Sequence, residues 1–351
     1  MKRKLSFWVL CVLLSLLSCR EQDRYIALGG YAQGGTYTVK LNLKGVRERP
    51  QVIQAAVDSL LKEVDFTLSG YNKASLLSRL NAGDTVSVNP MLCEVYRLSY
   101  EFFRRSRGAF DVACGPMFDI WGFGFTTDSM PGPDRIAEAA ARSGMGRLRP
   151  TMEEALAPDG TLCARNLLAE PGGEAPVLNF NAIAQGFSCD YVARYLHSLG
   201  VKDMLVDIGE IYCEGRNPSG RPWAVGIDSP VDGNNTPGAD MQGVWHSDGG
   251  SGQGVVTSGN YRKYYVRDGR KYSHTIDTRT GVPVSHNLLS ATVIAPDATT
   301  ADAVATWCMA VGVAESEILL RELGLEACLI YDEDGRMRLW TTPGFGLSTT
   351  N

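Results

Sequence analysis

Asp302 and Thr306 lie four residues apart in the run Ala301-Asp-Ala-Val-Ala-Thr306. If that run is helical, their side chains stack on one face. A carboxylate and an alcohol so placed offer two hard oxygen ligands, which suits Mg²⁺ acting on a phosphate substrate. A helix with an early Asp and a buried Thr would carry the same pair, so the spacing leaves both readings open. Upstream, Tyr272-Ser-His-Thr-Ile-Asp-Thr-Arg-Thr-Gly281 holds a His and an Asp three residues apart. A neutral imidazole at His274 could take a proton near pH 7. Asp277 either orients that ring or opens a turn; Asp at the head and Gly281 at the close favour the turn. Thr257-Ser-Gly259 is expected to be a turn whose backbone donors face phosphate. A serine-hydrolase use of Ser258 is disfavoured, because the G-x-S-x-G elbow is missing. His197 in an amphipathic helix, and His246 and His286 in loops, read as structural or solvent-exposed.

Helical spacing of apolar residues predicts helices over Pro50–Phe66, Met91–Arg105 and Ala184–Leu199. Alternation predicts a strand at Thr36–Leu41. Short strands are expected at Val177–Phe180, Met204–Ile208, Trp223–Ile227 and Ala291–Ile294, and Cys328–Tyr331 with Met337–Trp340 as a closing pair. Strands and helices interleave without a βαβ rhythm, which points to an α+β fold with mixed sheets and packed helices. Residues 231–254 are rich in Gly, Asp and Asn and read as a long loop insertion.

Lys2-Arg-Lys4 followed by an apolar stretch from Leu5 to Leu17 reads as a secretory signal, too short to span a bilayer. It closes on Leu16-Leu-Ser-Cys19, which resembles a lipobox; cleavage before Cys19 would leave a lipid-anchored protein in the cell envelope, facing the periplasm. Loss of the three basic residues would take the net charge from −5 to −8. With no basic stripe, a nucleic-acid partner is not expected. Cys93, Cys114, Cys163, Cys189, Cys213, Cys308 and Cys328 are scattered without a C-x-x-C pair and read as small hydrophobes.

Several further runs bear on function together: Gly35-Thr-Tyr37; Ser69-Gly-Tyr71 with Ser75-x-x-Ser-Arg-Leu-Asn81; Gly108-Ala-Phe-Asp-Val112; Trp121-Gly-Phe-Gly124; Asn179-Phe-Asn-Ala-Ile-Ala-Gln-Gly186; and Val206-Asp-Ile-Gly209. In this order, with the C-terminal runs above, they resemble the ApbE-like FAD:protein FMN transferases from Gly35 to Tyr331. The resemblance implies a single two-lobed flavin transferase domain over 31–351, behind a signal at 1–18 and a tether at 19–30. It also implies Mg²⁺-dependent transfer of FMN from FAD to a Thr or Ser hydroxyl of an extracytoplasmic acceptor flavoprotein, with AMP released. An FAD diphosphatase and a non-catalytic FAD-binding lipoprotein are the alternatives. Asp302 and Thr306 match the family's Mg²⁺ ligands, with Ala182 and Ala305 at further metal positions. Tyr71, Ala109, Phe110, Asp111, Asn179, Gln185 and Ile276 match the FAD site, and His274 is the expected base. Tyr71 and Phe110 could each stack on the cofactor or belong to the core. The chain departs from the family at Asn179 and Gln185, where Asp and Lys are usual, at Ala305, where some relatives carry Asp, and at Gly34, where many place Met.

Overall fold

Tyr37, Val39 and Leu41 point inward while the residues between them are more exposed, a period of two that makes Gly35–Asn42 a strand with one buried face. The structure is a computed structural model and describes residues 23–348 other than 125–129, 235, 237, 262, 263 and 268. The signal segment 1–18, Cys19 and the start of the tether lie outside the described residues.

In chain order the strands are β1 (Tyr25–Ala32), β2 (Gly35–Asn42), β3 (Thr85–Ser87), β4 (Thr161–Cys163), β5 (Met204–Asp207), β6 (Ile211–Glu214), β7 (Ala224–Asp228), β8 (Met241–His246) and β9 (Gln253–Gly259). There follow β10 (Tyr264–Arg267), β11 (Arg270–Ser273), β12 (Ile276–Asp277), β13 (Val282–Pro283), β14 (Leu288–Ala295), β15 (Glu326–Glu333), β16 (Arg336–Thr341) and β17 (Leu347–Ser348). Eight form one sheet in the order β1-β2-β5-β6-β9-β14-β15-β16, and each neighbouring pair is antiparallel. One face of this sheet carries Val256, Ala291 and Val293 against the Ala298–Val311 helix. The other carries Val255, Ile294 and Ile330 against Trp223, Val225 and Trp245 of a small β17-β8-β7 sheet. Residues between β2 and β5 supply most of the helices, at Pro50–Leu68, Leu76–Asn81, Pro90–Arg105, Gly115–Ile120, Pro133–Ala141 and Ala184–Ser198. They share a core with the sheet: Leu92, Tyr96, Phe180, Phe187, Val304 and Ala291 belong to one apolar cluster. The fold is a single α+β domain.

The antiparallel order gives the main sheet two poles. At one lie the start of β1 and the end of β2, where Tyr25 faces Asn42. At the other lie the β1–β2 turn, the β5–β6 turn at Ile208–Glu210, the end of β9 and the first turn of the Ala184–Ser198 helix; Gln33 Nε2 donates to Ser188 Oγ and Gln185 Nε2 to the Ile208 carbonyl. No described helix is long and apolar enough to cross a membrane. All seven described cysteines are unpaired.

Four expectations need correction. The tether over 19–30 runs into β1, since Tyr25 onward pairs with β2. Gly29 and Gly30 mask that strand in the sequence. Gly30 is required because the Tyr37 ring lies across it, and an added Cβ would sit 2.6 Å from Cε1 of Tyr37. The insertion at 231–254 contains all of β8 and the start of β9, so its low hydrophobicity marks turns around a small-sheet strand and not one long loop. Val177–Phe180 is not a strand. Its alternating burial is real, but the Asn81 side chain brackets the Leu178 backbone, accepting from its N–H and donating to its carbonyl, in place of a neighbouring strand. Finally, Thr257–Gly259 ends β9 and is no turn.

Candidate active site

The Ala298–Val311 helix starts where the sequence offers caps. Asp297 accepts from the Thr300 N–H, and Asp190, from the Ala184–Ser198 helix, accepts from the N–H groups of Ala298 and Thr299 at 2.9 and 2.8 Å. The helix is apolar nearly all round and therefore buried, and it ends at Gly312, whose φ is +82°. Inside it Asp302 is 5 % exposed. One of its oxygens accepts the Gly186 N–H at 3.0 Å, an otherwise unpartnered donor in the first turn of the Ala184–Ser198 helix. The Asp302 carboxyl is held well above the usual carboxylate range, first by burial and further by the charge of Asp190, with the Gly186 bond opposing. Among the described residues no Lys or Arg pairs with it.

Thr306, one turn on, faces Ser258 of β9, hydroxyl to hydroxyl at 3.5 Å. Asp302 and Thr306 thus share the helix face their spacing required. Ala182 sits in the Phe180–Ile183 turn that leads into the Ala184–Ser198 helix, where the N–H groups of Ile183 and Ala184 both donate to the Phe180 carbonyl. Ala305 is fully buried. Its carbonyl lies within the helical hydrogen-bond ladder, so only a spare lone pair could reach a ligand. Among the described residues no cluster of three His, Cys, Asp or Glu could hold a metal. A cation here would therefore rest on one carboxylate plus hydroxyl and carbonyl oxygens, a hard-oxygen set. The donors fit Mg²⁺: a buried acid without a cationic partner is what a divalent ion would compensate.

Gly186 admits no side chain. A Cβ there would lie 2.8 Å from the Asp302 Cβ and closer still to the Ala298 carbonyl. Gly186→Ala is expected to lower stability by about 1–3 kcal/mol through overpacking. Thermal melts check this; an unchanged melting temperature would show that the two helices separate easily.

The other expected residues fall into two groups. Asn179 Oδ1 accepts the Asn181 N–H, and the Asn181 side chain donates to the Tyr71 hydroxyl at 3.4 Å. Tyr71 is 59 % exposed, whereas the Phe110 ring is buried against Phe102 and belongs to the core. Asp111 turns inward: it accepts from the backbone N–H groups of Ala113 and Met145, and burial raises its carboxyl to about 6. Ala109 is buried, and the Thr278 hydroxyl donates to the carbonyls of Gly108 and Ala109, tying that loop to the segment holding His274 and Ile276. Ile276 packs with Met117 and Trp121, and Trp121 donates to the Gly281 carbonyl. The His274 and Phe123 rings form a T-shaped pair with centroids 6.4 Å apart. The two groups join where the Asn179 N–H donates to the Val112 carbonyl at 2.7 Å. Asp277 takes the turn role: its backbone and carboxylate accept from Gly281 and Arg279. His286 is structural, donating to the Met309 carbonyl.

The family profile described as ApbE matches residues 33–329. The chain belongs to the ApbE family. The FAD:protein FMN transferase of Klebsiella pneumoniae is 32 % identical over 313 residues, covering 87 % of this chain and 85 % of its own. That of Haemophilus influenzae is also 32 % identical over 313 residues, covering 85 % and 84 %. The apo crystal structure of Pseudomonas stutzeri flavinyl transferase ApbE superposes with a TM-score of 0.78 at 32 % identity, covering 93 % of this chain and 96 % of that one. The Vibrio cholerae flavin transferase ApbE gives 0.75 at 28 % identity, covering 92 % and 99 %. The ApbE likeness thus spans both poles of the sheet and the helices between β2 and β5. Sequence reasoning about this ApbE chain passed over Gly186 as a donor and Glu210, whose carboxylate accepts the Thr257 N–H at the site pole. Gly in a helix's first turn was the available signal for the former; Glu210 carried none.

Proposed function

We propose that this chain is an FAD:protein FMN transferase that passes FMN to a Ser or Thr hydroxyl of an extracytoplasmic acceptor and releases AMP, with Mg²⁺ at Asp302. The observation that carries the metal assignment is the buried, cation-free Asp302 one helical turn from Thr306. Asp302, Thr306 and the backbone of Ala182 would hold the ion, which supplies charge neutralisation at the diphosphate. The positive end of the Ala184–Ser198 helix dipole favours anions beside it. Tyr71 offers a ring face for flavin or adenine, and the backbone of Ala109–Phe110 with Asn179, Gln185 and Ile276 shapes the remaining cofactor site. His274 takes the acceptor proton as oxygen bonds to the FMN phosphorus; the phosphate bridge breaks and AMP leaves with the bridging oxygen. The lipobox supports placing the enzyme on a membrane through Cys19, facing the periplasm.

Incubation with FAD, Mg²⁺ and an acceptor domain tests this, with flavin fluorescence read in a denaturing gel. A fluorescent acceptor band is expected. Free FMN and AMP alone would favour the diphosphatase, and intact FAD a storage protein. Gln185 donates to the Ile208 carbonyl and brings no charge, so more of the neutralisation falls on the ion. Gln185→Lys is accordingly expected to lower the Mg²⁺ concentration for half-maximal rate; an unchanged requirement would count against this account.

A further inference from the structure

The inward face of β9 changes character along its length. Gly254 lies against the start of the Ala298–Val311 helix with no room for a side chain, Val256 is fully buried under that helix, and Ser258 meets Thr306. Packing alone would place another apolar residue at the third position, as Ala291 does on the facing strand, where it is paired with Ser258. Two hydroxyls face each other there instead.

An alcohol has one proton and two lone pairs. When Thr306 gives a lone pair to a cation, it keeps its proton, and that proton needs an acceptor directed away from the ion. The Ser258 oxygen stands at 3.5 Å, at the outer limit of hydrogen-bonding distance, and is the partner the structure sets beside that hydroxyl. We propose that Ser258 is a positioning residue for the metal site: it accepts the Thr306 proton, so the Thr306 lone pair faces the ion, and its own O–H points onward to a substrate phosphate oxygen. This rests on the Asp302–Thr306 metal assignment above. Ser258 acts through Thr306 and is no nucleophile.

Mn²⁺ affinity, measured from the free-ion electron paramagnetic resonance signal without FAD, reads this separately from turnover. Ser258→Ala is expected to weaken Mn²⁺ binding roughly tenfold, as loss of a partner behind a metal ligand does, with the metal-free melting temperature unchanged. Ser258→Thr, which keeps the hydroxyl, restores wild-type affinity. Asp302→Ala abolishes binding. If Ser258→Ala binds Mn²⁺ like the wild type while Asp302→Ala does not, the role of Ser258 is overturned and the metal site stands. If Asp302→Ala also binds like the wild type, the metal assignment falls and the Ser258 role with it.

Discussion

Replacing Asp302 and Thr306 together by alanine is expected to slow flavin attachment roughly a thousandfold. A divalent ion on a diphosphate contributes several kcal/mol of charge stabilisation, and each ~1.4 kcal/mol is a factor of ten in rate. The change in stability should be smaller, because two effects oppose each other. Removing Asp302 relieves a buried carboxylate but strips the Gly186 N–H of its acceptor. Transfer rates from in-gel fluorescence, taken alongside thermal melts, separate the two effects. A folded double variant that labels its acceptor at the wild-type rate would refute the metal assignment.

His274→Ala is expected to reduce transfer by about 10²–10⁴-fold, the range for losing a positioned general base. FAD affinity should change much less, because the proposed cofactor site draws on Tyr71, the Ala109–Phe110 backbone and Ile276 as well. Transfer rates under saturating FAD, set beside FAD binding measured by titration, provide the check. A variant within about threefold of the wild type would remove His274 from the proton path.

The elements that carry the site were readable where one period dominates. The Ala184–Ser198 helix ends within one residue of the expected span because its apolar periodicity is long, and Ala301–Thr306 lies inside the Ala298–Val311 helix, as the stacking of Asp302 on Thr306 required. Short segments misled for a physical reason: burial and backbone pairing are separate properties. Val177–Phe180 alternates like a strand yet bonds to Asn81 and the 112–115 loop. β1 does not look like a strand, yet pairs along its length, because its glycines answer to the Tyr37 ring. At the candidate site, the shared helix face of Asp302 and Thr306 was legible from spacing. The inward turn of Asp111 was not, since the Met145 N–H it holds is distant in sequence. Phe110 and Tyr71 took opposite fates that no local pattern distinguishes.

The tether that shrank to make room for β1 sets a geometry. From Cys19 to Tyr25 is six residues, a reach of about 20 Å at full extension. With Cys19 lipidated, the bilayer would hold the Tyr25 end of the sheet close. The eight residues of β1 then stand between the bilayer and Gln185 and the β1–β2 turn, a height of roughly 26 Å. With the sheet upright the flavin site would stand that far above the Tyr25 end, with up to about 20 Å of tether beneath it, a reach that suits an acceptor hydroxyl carried on a projecting domain.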